Sequence, residues 1–167
     1  MNVQVVTTGF VVFSDHQLRC ALGRGGLKIH KMEGDGATPV GTFALGRVFY
    51  RADRLKHPPQ TGLQTIPITP DMGWCDDPNH ADYNQLIALP HPARHERLWR
   101  DDGVYDVVVE VLYNTDPIVA GRGSAIFIHV AKPDYTPTEG CIALNMQDLL
   151  VLLSLCNKGD LITIGGS

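Results

Sequence analysis

The sequence predicts a mainly β domain with long loops and one principal helix near its C-terminus. Three observations carry that reading. Glycine and proline number 17 and 11 among 167 residues, about one residue in six where roughly one in eight is usual, which calls for many turns. Short valine- and isoleucine-rich runs recur between those turns. One stretch, Met146 to Cys156, repeats its apolar residues with the period of an α-helix. With 44% apolar and 19% charged residues the chain is globular. A chain of this length buries roughly two thirds of its unfolded surface, so neither metal nor disulfide is needed to hold it. One domain over residues 1–167 is expected.

Val3–Val6 and Phe10–Phe13 read as strands separated by Thr7-Thr8-Gly9, and Arg19–Leu22 as a third that stops at Gly23. Gly34–Gly41 is a loop by composition and feeds a strand at Thr42–Leu45. From Arg51 to Gly103 the pattern is irregular and holds seven of the eleven prolines. It is expected to cover a site, with a single helical turn at Arg94–Trp99. Val104–Tyr113 reads as a long strand, and Ala125–Val130, bounded by Gly123 and Pro133, as a buried one. Met146, Leu149, Leu150, Leu153 and Cys156 fall on one helical face. Asn145 is the expected N-cap, Asp148 sits at the third helical position, and Lys158-Gly159 marks the stop. Leu161–Ile164 closes the chain as a strand.

Fourteen basic and eighteen acidic residues leave a charge of −4, too mild for a nucleic-acid groove. No run approaches the roughly 18 apolar residues of a membrane span. Met1-Asn2-Val3-Gln4 lacks the positive start of a secretory signal, so a soluble chain is expected. The four cysteines, Cys20, Cys75, Cys141 and Cys156, form no Cys-x-x-Cys pair. His91 and His95 have a metal-ligand spacing, but Pro92 argues against the continuous helix that would align them, and no metal is expected. Gly23-Arg24-Gly25-Gly26 lacks the Lys-Ser/Thr of a P-loop.

Candidate chemistry gathers after the buried strand. His129 lies near its end, a two-proline loop follows, and then comes Thr138-Glu139-Gly140-Cys141 with a helix start close behind. A nucleophilic cysteine needs a base and benefits from a helix N-terminus, since both favour thiolate. Glycine before it allows a tight turn and close approach of a carbonyl to backbone N–H groups. A lone cysteine is more often a small buried hydrophobe, and spacing alone leaves both readings open.

His129 followed by Thr138-Glu139-Gly140-Cys141-Ile142-Ala143-Leu144 resembles the signature of the YkuD-type L,D-transpeptidases: a histidine, a variable loop, then Ser/Thr-His-Gly-Cys and an apolar residue. Thr38-Pro39-Val40-Gly41-Thr42-Phe43 resembles the family's Thr-Pro-x-Gly-x-Phe/Tyr turn. Trp74-Cys75-Asp76-Asp77-Pro78 with Tyr83-Asn84, and Gly123–His129, are similar to its single-domain branch. The resemblance runs from about Gly34 to the C-terminus.

It implies a β-sandwich-like catalytic domain and acyl transfer on peptidoglycan stem peptides, with no cofactor, by a chain expected to be monomeric. Cys141 would attack the carbonyl at the L-centre of a diamino acid, usually meso-diaminopimelate, and release the terminal D-residue. An acceptor amine would then resolve the thioester. In the alternative, an L,D-carboxypeptidase or endopeptidase, water resolves it; an inactive peptidoglycan-binding module is a third class. His129 would be the base, oriented as in the family by a backbone carbonyl. N–H groups around Gly140 and Cys141 would be the oxyanion donors. Trp74, Asp76, Asp77, Tyr83, Asn84, Thr138 and Glu139 are the candidate substrate-binding residues, Asp76 and Asp77 reading equally as a solvated turn. The family implies the cell envelope or periplasm; without a signal the cytoplasm is the other compartment.

Two departures stand out. Glu139 replaces the histidine before Gly-Cys, and Ala143 replaces an arginine associated with the substrate carboxylate. Arg94, Arg97, Arg100 and Arg122 are the candidate replacements. A carboxylate beside Cys141 would raise the thiol pKa, so Glu139 is expected to point away, to pair with a cation, or to read a substrate amine.

Overall fold

A computed structural model describes residues 1–166. β1 (Asn2–Val6), β2 (Phe10–Phe13) and β3 (His16–Arg19) form an antiparallel meander. The third strand lies three residues earlier than the sequence implies, because Phe13 must face His16 across a tight Ser14-Asp15 turn, with Ser14 at φ 48°. A two-stranded parallel pair, β4 (Leu27–Lys28) and β5 (Thr38–Pro39), precedes the long β6 (Gly41–Tyr50) and short β7 (Thr65–Pro67). Next come β8 (Met72–Cys75), β9 (Leu86–Ala88) and β10 (His95–Arg97), which make a separate three-stranded sheet. β11 (Val107–Val111), β12 (Phe127–Val130), β13 (Ile142–Leu144), α1 (Met146–Leu155) and β14 (Leu161–Ile164) complete the chain.

The main sheet runs β13-β12-β11-β6-β14-β1-β2-β3, with β7 beside β6. Its pairs are mostly antiparallel, but β1 with β14, β12 with β13 and β6 with β7 are parallel. The far edges meet. Just past β3, Ala21 and Ala143 of β13 exchange both backbone hydrogen bonds, at 2.8 and 2.9 Å. The two layers of the expected sandwich are thus one sheet curled into a barrel-like form, which removes exposed edges. Inside lie Val3, Val5, Val109, Ile128, Ile142, Leu144, Ile162 and Ile164, with Leu149, Leu152 and Leu153 of α1 packed against them. Each such side chain contributes roughly 1.5–3 kcal/mol by burial.

The helix occupies the residues its periodicity indicates. Asn145 Oδ1 accepts the Asp148 N–H at 2.8 Å as its N-cap. No helix among the described residues is long and apolar enough to cross a membrane.

The helical turn expected at Arg94–Trp99 is instead β10. His95, Glu96 and Arg97 pair with Cys75, Trp74 and Gly73. Alternation along a strand therefore sends Glu96 to one face and its two neighbours to the other. The β8–β10 sheet covers the outer face of β11 and β12, where Trp74, Leu98, Tyr105, Val108, Phe127 and Cys141 form a second core.

Candidate active site

β12 sets the site. Ile128 points into the barrel, so Phe127 and His129 take the opposite face, toward the β8–β10 cover. Parallel pairing aligns Ile128 with Ile142 and His129 with Ala143. Cys141, one residue before β13, thereby comes beside Phe127, whose N–H approaches its sulfur at 3.4 Å. Cys141 and His129 both line a cleft of about 510 Å³ with Lys31, Glu33, Asp76, Glu96 and Arg100. A larger hollow of about 950 Å³ elsewhere is lined by no cysteine or histidine; the candidate catalytic pair lines the smaller one.

The turn carrying Cys141 is held from several sides. Thr138 exchanges backbone bonds with the chain at Leu22 and Arg24, at 2.9 and 2.7 Å. Its hydroxyl donates to the Cys141 carbonyl at 2.6 Å and accepts the Gly140 N–H at 3.1 Å. Gly140 has φ 134°, and a Cβ there would stand 2.7 Å from the Ala37 carbonyl oxygen, so only glycine fits. Its N–H is already committed to the Thr138 hydroxyl, which leaves the Cys141 N–H as the nearer candidate donor beside the sulfur.

The three residues of β13 also lie between Cys141 and Asn145, a span of about 13 Å over four steps of ~3.3 Å. The helix N-terminus is too distant to activate the thiol. Burial pushes Cys141 up to about 12, the charge of Glu96 adds to that, and the Phe127 N–H and Lys31 oppose it. The resting sulfur is a neutral thiol that donates to the Ala125 carbonyl at 3.2 Å.

His129 is buried, and its Nδ1 lies 3.0 Å from the Val130 carbonyl oxygen. A carbonyl only accepts, so Nδ1 carries the proton and Nε2 keeps its lone pair. Burial lowers the imidazole pKa, with the Val130 bond working the other way, and the ring stays neutral at pH 7. Tyr105 packs against it edge-on, ring centres 5.4 Å apart.

Of the candidate substrate-binding residues, Asp76, Thr138 and Glu139 line this cleft. Trp74, Tyr83 and Asn84 do not; they are buried braces behind it. Trp74 Nε1 donates to Asn84 Oδ1 at 3.0 Å, and Asn84 also accepts the Ala125 N–H at 3.0 Å. The Tyr83 hydroxyl donates to Glu33 at 2.7 Å and accepts the Gly123 N–H at 2.9 Å. Asp77 caps a turn through the Asn79 N–H at 3.0 Å and lies off the cleft lining. Glu139 is exposed at the rim and pairs with Arg24 at 2.9 Å, the cation-paired outcome.

Arg94 and Arg100 reach the cleft, whereas Arg97 and Arg122 do not line it. Sequence reasoning missed Lys31, Glu33, Glu96 and Tyr105. The Lys31-x-Glu33 charges beside the Gly34-Asp35-Gly36 turn were the available signal for the first two. Glu96 and Tyr105 gave none, because Glu96 was read in a helical turn where β10 stands and Tyr105 in a strand that begins only at Val107.

His80, Asp82 and His91 place one ligand atom each within 4.8 Å of one another and are the described residues best able to hold a metal. They lie outside the cleft lining, and Asp82 already bonds His91 at 2.9 Å. All four cysteines are buried and unpaired.

Residues 3–164 match the family model of the YkuD L,D-transpeptidase catalytic domain. Among curated proteins none matches the chain. Among solved structures it is similar to the helical cell shape determining protein Pgp2 from Campylobacter jejuni, at 17% identity and a TM-score of 0.48, covering 99% of this chain and 48% of that one. It is also similar to L,D-transpeptidase 1 from Mycobacterium tuberculosis, at 14% identity and a TM-score of 0.44, covering 99% of this chain and 58% of that one. The chain thus spans about half the length of these structures.

Proposed function

Because this chain belongs to the YkuD family of L,D-transpeptidase catalytic domains, we propose that it is a cysteine acyltransferase acting on peptidoglycan stem peptides in the cell envelope. The observation that carries the reading is a buried thiol and a neutral imidazole on one cleft wall, the imidazole oriented by a backbone carbonyl.

The substrate carbonyl is that of the L-centre of a diamino acid in a tetrapeptide stem. Cys141 Sγ attacks it while His129 Nε2 takes the thiol proton. With the thiol pKa near 12, the proton leaves during the attack rather than before it. The new oxyanion is met by the Cys141 N–H. Collapse breaks the C–N bond to the terminal D-residue, whose nitrogen takes the proton back from Nε2, and a thioester remains. An acceptor amine then attacks the thioester carbonyl, loses its proton through His129, and the sulfur departs and regains it. Arg94 and Arg100, with Lys132 on the same lining, supply positive charge for the carboxylate of the leaving residue, the part the resemblance gives to the arginine replaced by Ala143.

Mass spectrometry of disaccharide-tetrapeptide incubated with the protein, with and without an acceptor stem, tests this. A cross-linked dimer that forms only with acceptor is the expected product. A tripeptide stem alone would make the protein a carboxypeptidase on the same thioester chemistry. Unchanged substrate in both arms would overturn the reading.

A further inference from the structure

We propose that Glu96 is a recognition site for an ammonium group of the substrate, the free side-chain amine of the stem's diamino acid. The inference deepens the stem-peptide reading above and rests on it.

β10 aims this carboxyl into the cleft, because Glu96 lies opposite Trp74 while His95 and Arg97 turn to the other face. The Tyr105 hydroxyl donates to Oε1 at 2.7 Å and fixes the carboxyl plane. Tyr105 also packs against His129, ring centres 5.4 Å apart, so Glu96 stands one side chain away from the reacting groups. No cation of the protein is paired with it among the described residues. Arg100 is bound to Asp102 at 2.5 and 3.1 Å. Arg94 holds the side chain and carbonyl of Asp76 at 3.1 and 2.6 Å. Lys31 holds Asp35 at 2.8 Å. A desolvated carboxylate without a cation beside it is costly, and an incoming ammonium offsets that cost where a neutral group would not. Glu139 does not fill this role, being exposed at the rim and already paired with Arg24.

The surroundings agree. Burial raises Glu96 to about 7; the Tyr105 hydroxyl and Arg100 lower it, while Asp76 and Glu33 raise it. Its negative charge is also among the causes that hold the Cys141 thiol high. An ammonium bound at Glu96 cancels that charge and eases proton loss from the sulfur. The amine is therefore read twice, once in binding and once in nucleophile reactivity.

The test uses Cys141→Ala protein, which cannot turn over, and two tetrapeptide stems: one with meso-diaminopimelate, one with its side-chain amine acetylated. Calorimetry should show the amine stem binding about tenfold or more tighter, the worth of one charged hydrogen bond. In Cys141→Ala/Glu96→Gln the two stems should bind alike. Glutamine keeps an acceptor for Tyr105, and a melting curve verifies that this variant folds. No amine preference in Cys141→Ala, or the same preference after Glu96→Gln, overturns the proposal. The comparison of stems on unaltered Glu96 stands even if the variant misfolds. Amine preference without turnover by the wild-type protein would leave the Glu96 site standing and fell the acyltransferase reading. Turnover without amine preference would do the reverse.

Discussion

Gly140 and Glu96 differ in how far a sequence reveals them. Gly140 stands next to Cys141 and announces a turn; its φ of 134° and the 2.7 Å approach to the Ala37 oxygen explain why. Gly140→Ala should cost about 1–3 kcal/mol of backbone strain and slow alkylation of Cys141 by displacing the sulfur. Denaturant melts and iodoacetamide kinetics on the same variant check both effects. Glu96 is silent in sequence, because a glutamate between a histidine and an arginine reads as a solvated charge. Only the strand pairing that turns it inward gives it a role. Its pH signature follows. With a native pKa of about 7 against the ordinary 4.5, the folded state keeps a proton that the unfolded chain has released between those values. That contribution is full below about pH 4.5 and is lost as pH rises through 7. His129 has the opposite sign: its pKa is lowered, so its contribution is lost as pH falls below about 6.5. Glu96→Gln should therefore gain stability relative to wild type on going from pH 5 to pH 8. An equal offset at both pH values, measured by denaturant unfolding, would show that Glu96 does not titrate in that window.

Legibility among the elements tracks local periodicity. The helix was readable to its ends because its apolar spacing, its Asn145 cap and the turn after it are all local. Its buried face is rotated from the sequence pattern toward Leu152: Leu152 is 1% exposed, while Met146 and Leu150 are only half-buried. The strands β1, β2 and β14 were readable for the same reason. The three short strands of the cover were not, since three or four residues carry no period and their pairing joins residues 12 to 24 positions apart. Leu152→Ala should lower stability by about 2–5 kcal/mol yet leave the rate of Cys141 alkylation in the folded protein unchanged, because α1 packs on the barrel side and the cleft lies on the other face of β12. A parallel loss of alkylation rate under native conditions would mean that helix and cleft are coupled.

In the whole molecule, Cys141 sits at the seam where the sheet closes. The Ala21–Ala143 bridge and the Gly23–Thr138 pairing join the first strands to the turn that bears Cys141. Positioning the sulfur therefore depends on contacts more than a hundred residues apart in the chain, which no local pattern reveals. The motif nonetheless marked Cys141 and His129 from sequence, and both line one cleft. The central claim is that Cys141 carries the acyl group. The most direct measurement is intact-protein and peptide mass spectrometry after mixing with disaccharide-tetrapeptide and quenching in acid. The account predicts a tripeptide-stem adduct on the peptide containing Cys141, with the D-residue released, and no adduct on Cys141→Ser protein that melts like wild type. An adduct at Cys20, Cys75 or Cys156, or product formed by the Cys141→Ser protein, would contradict it.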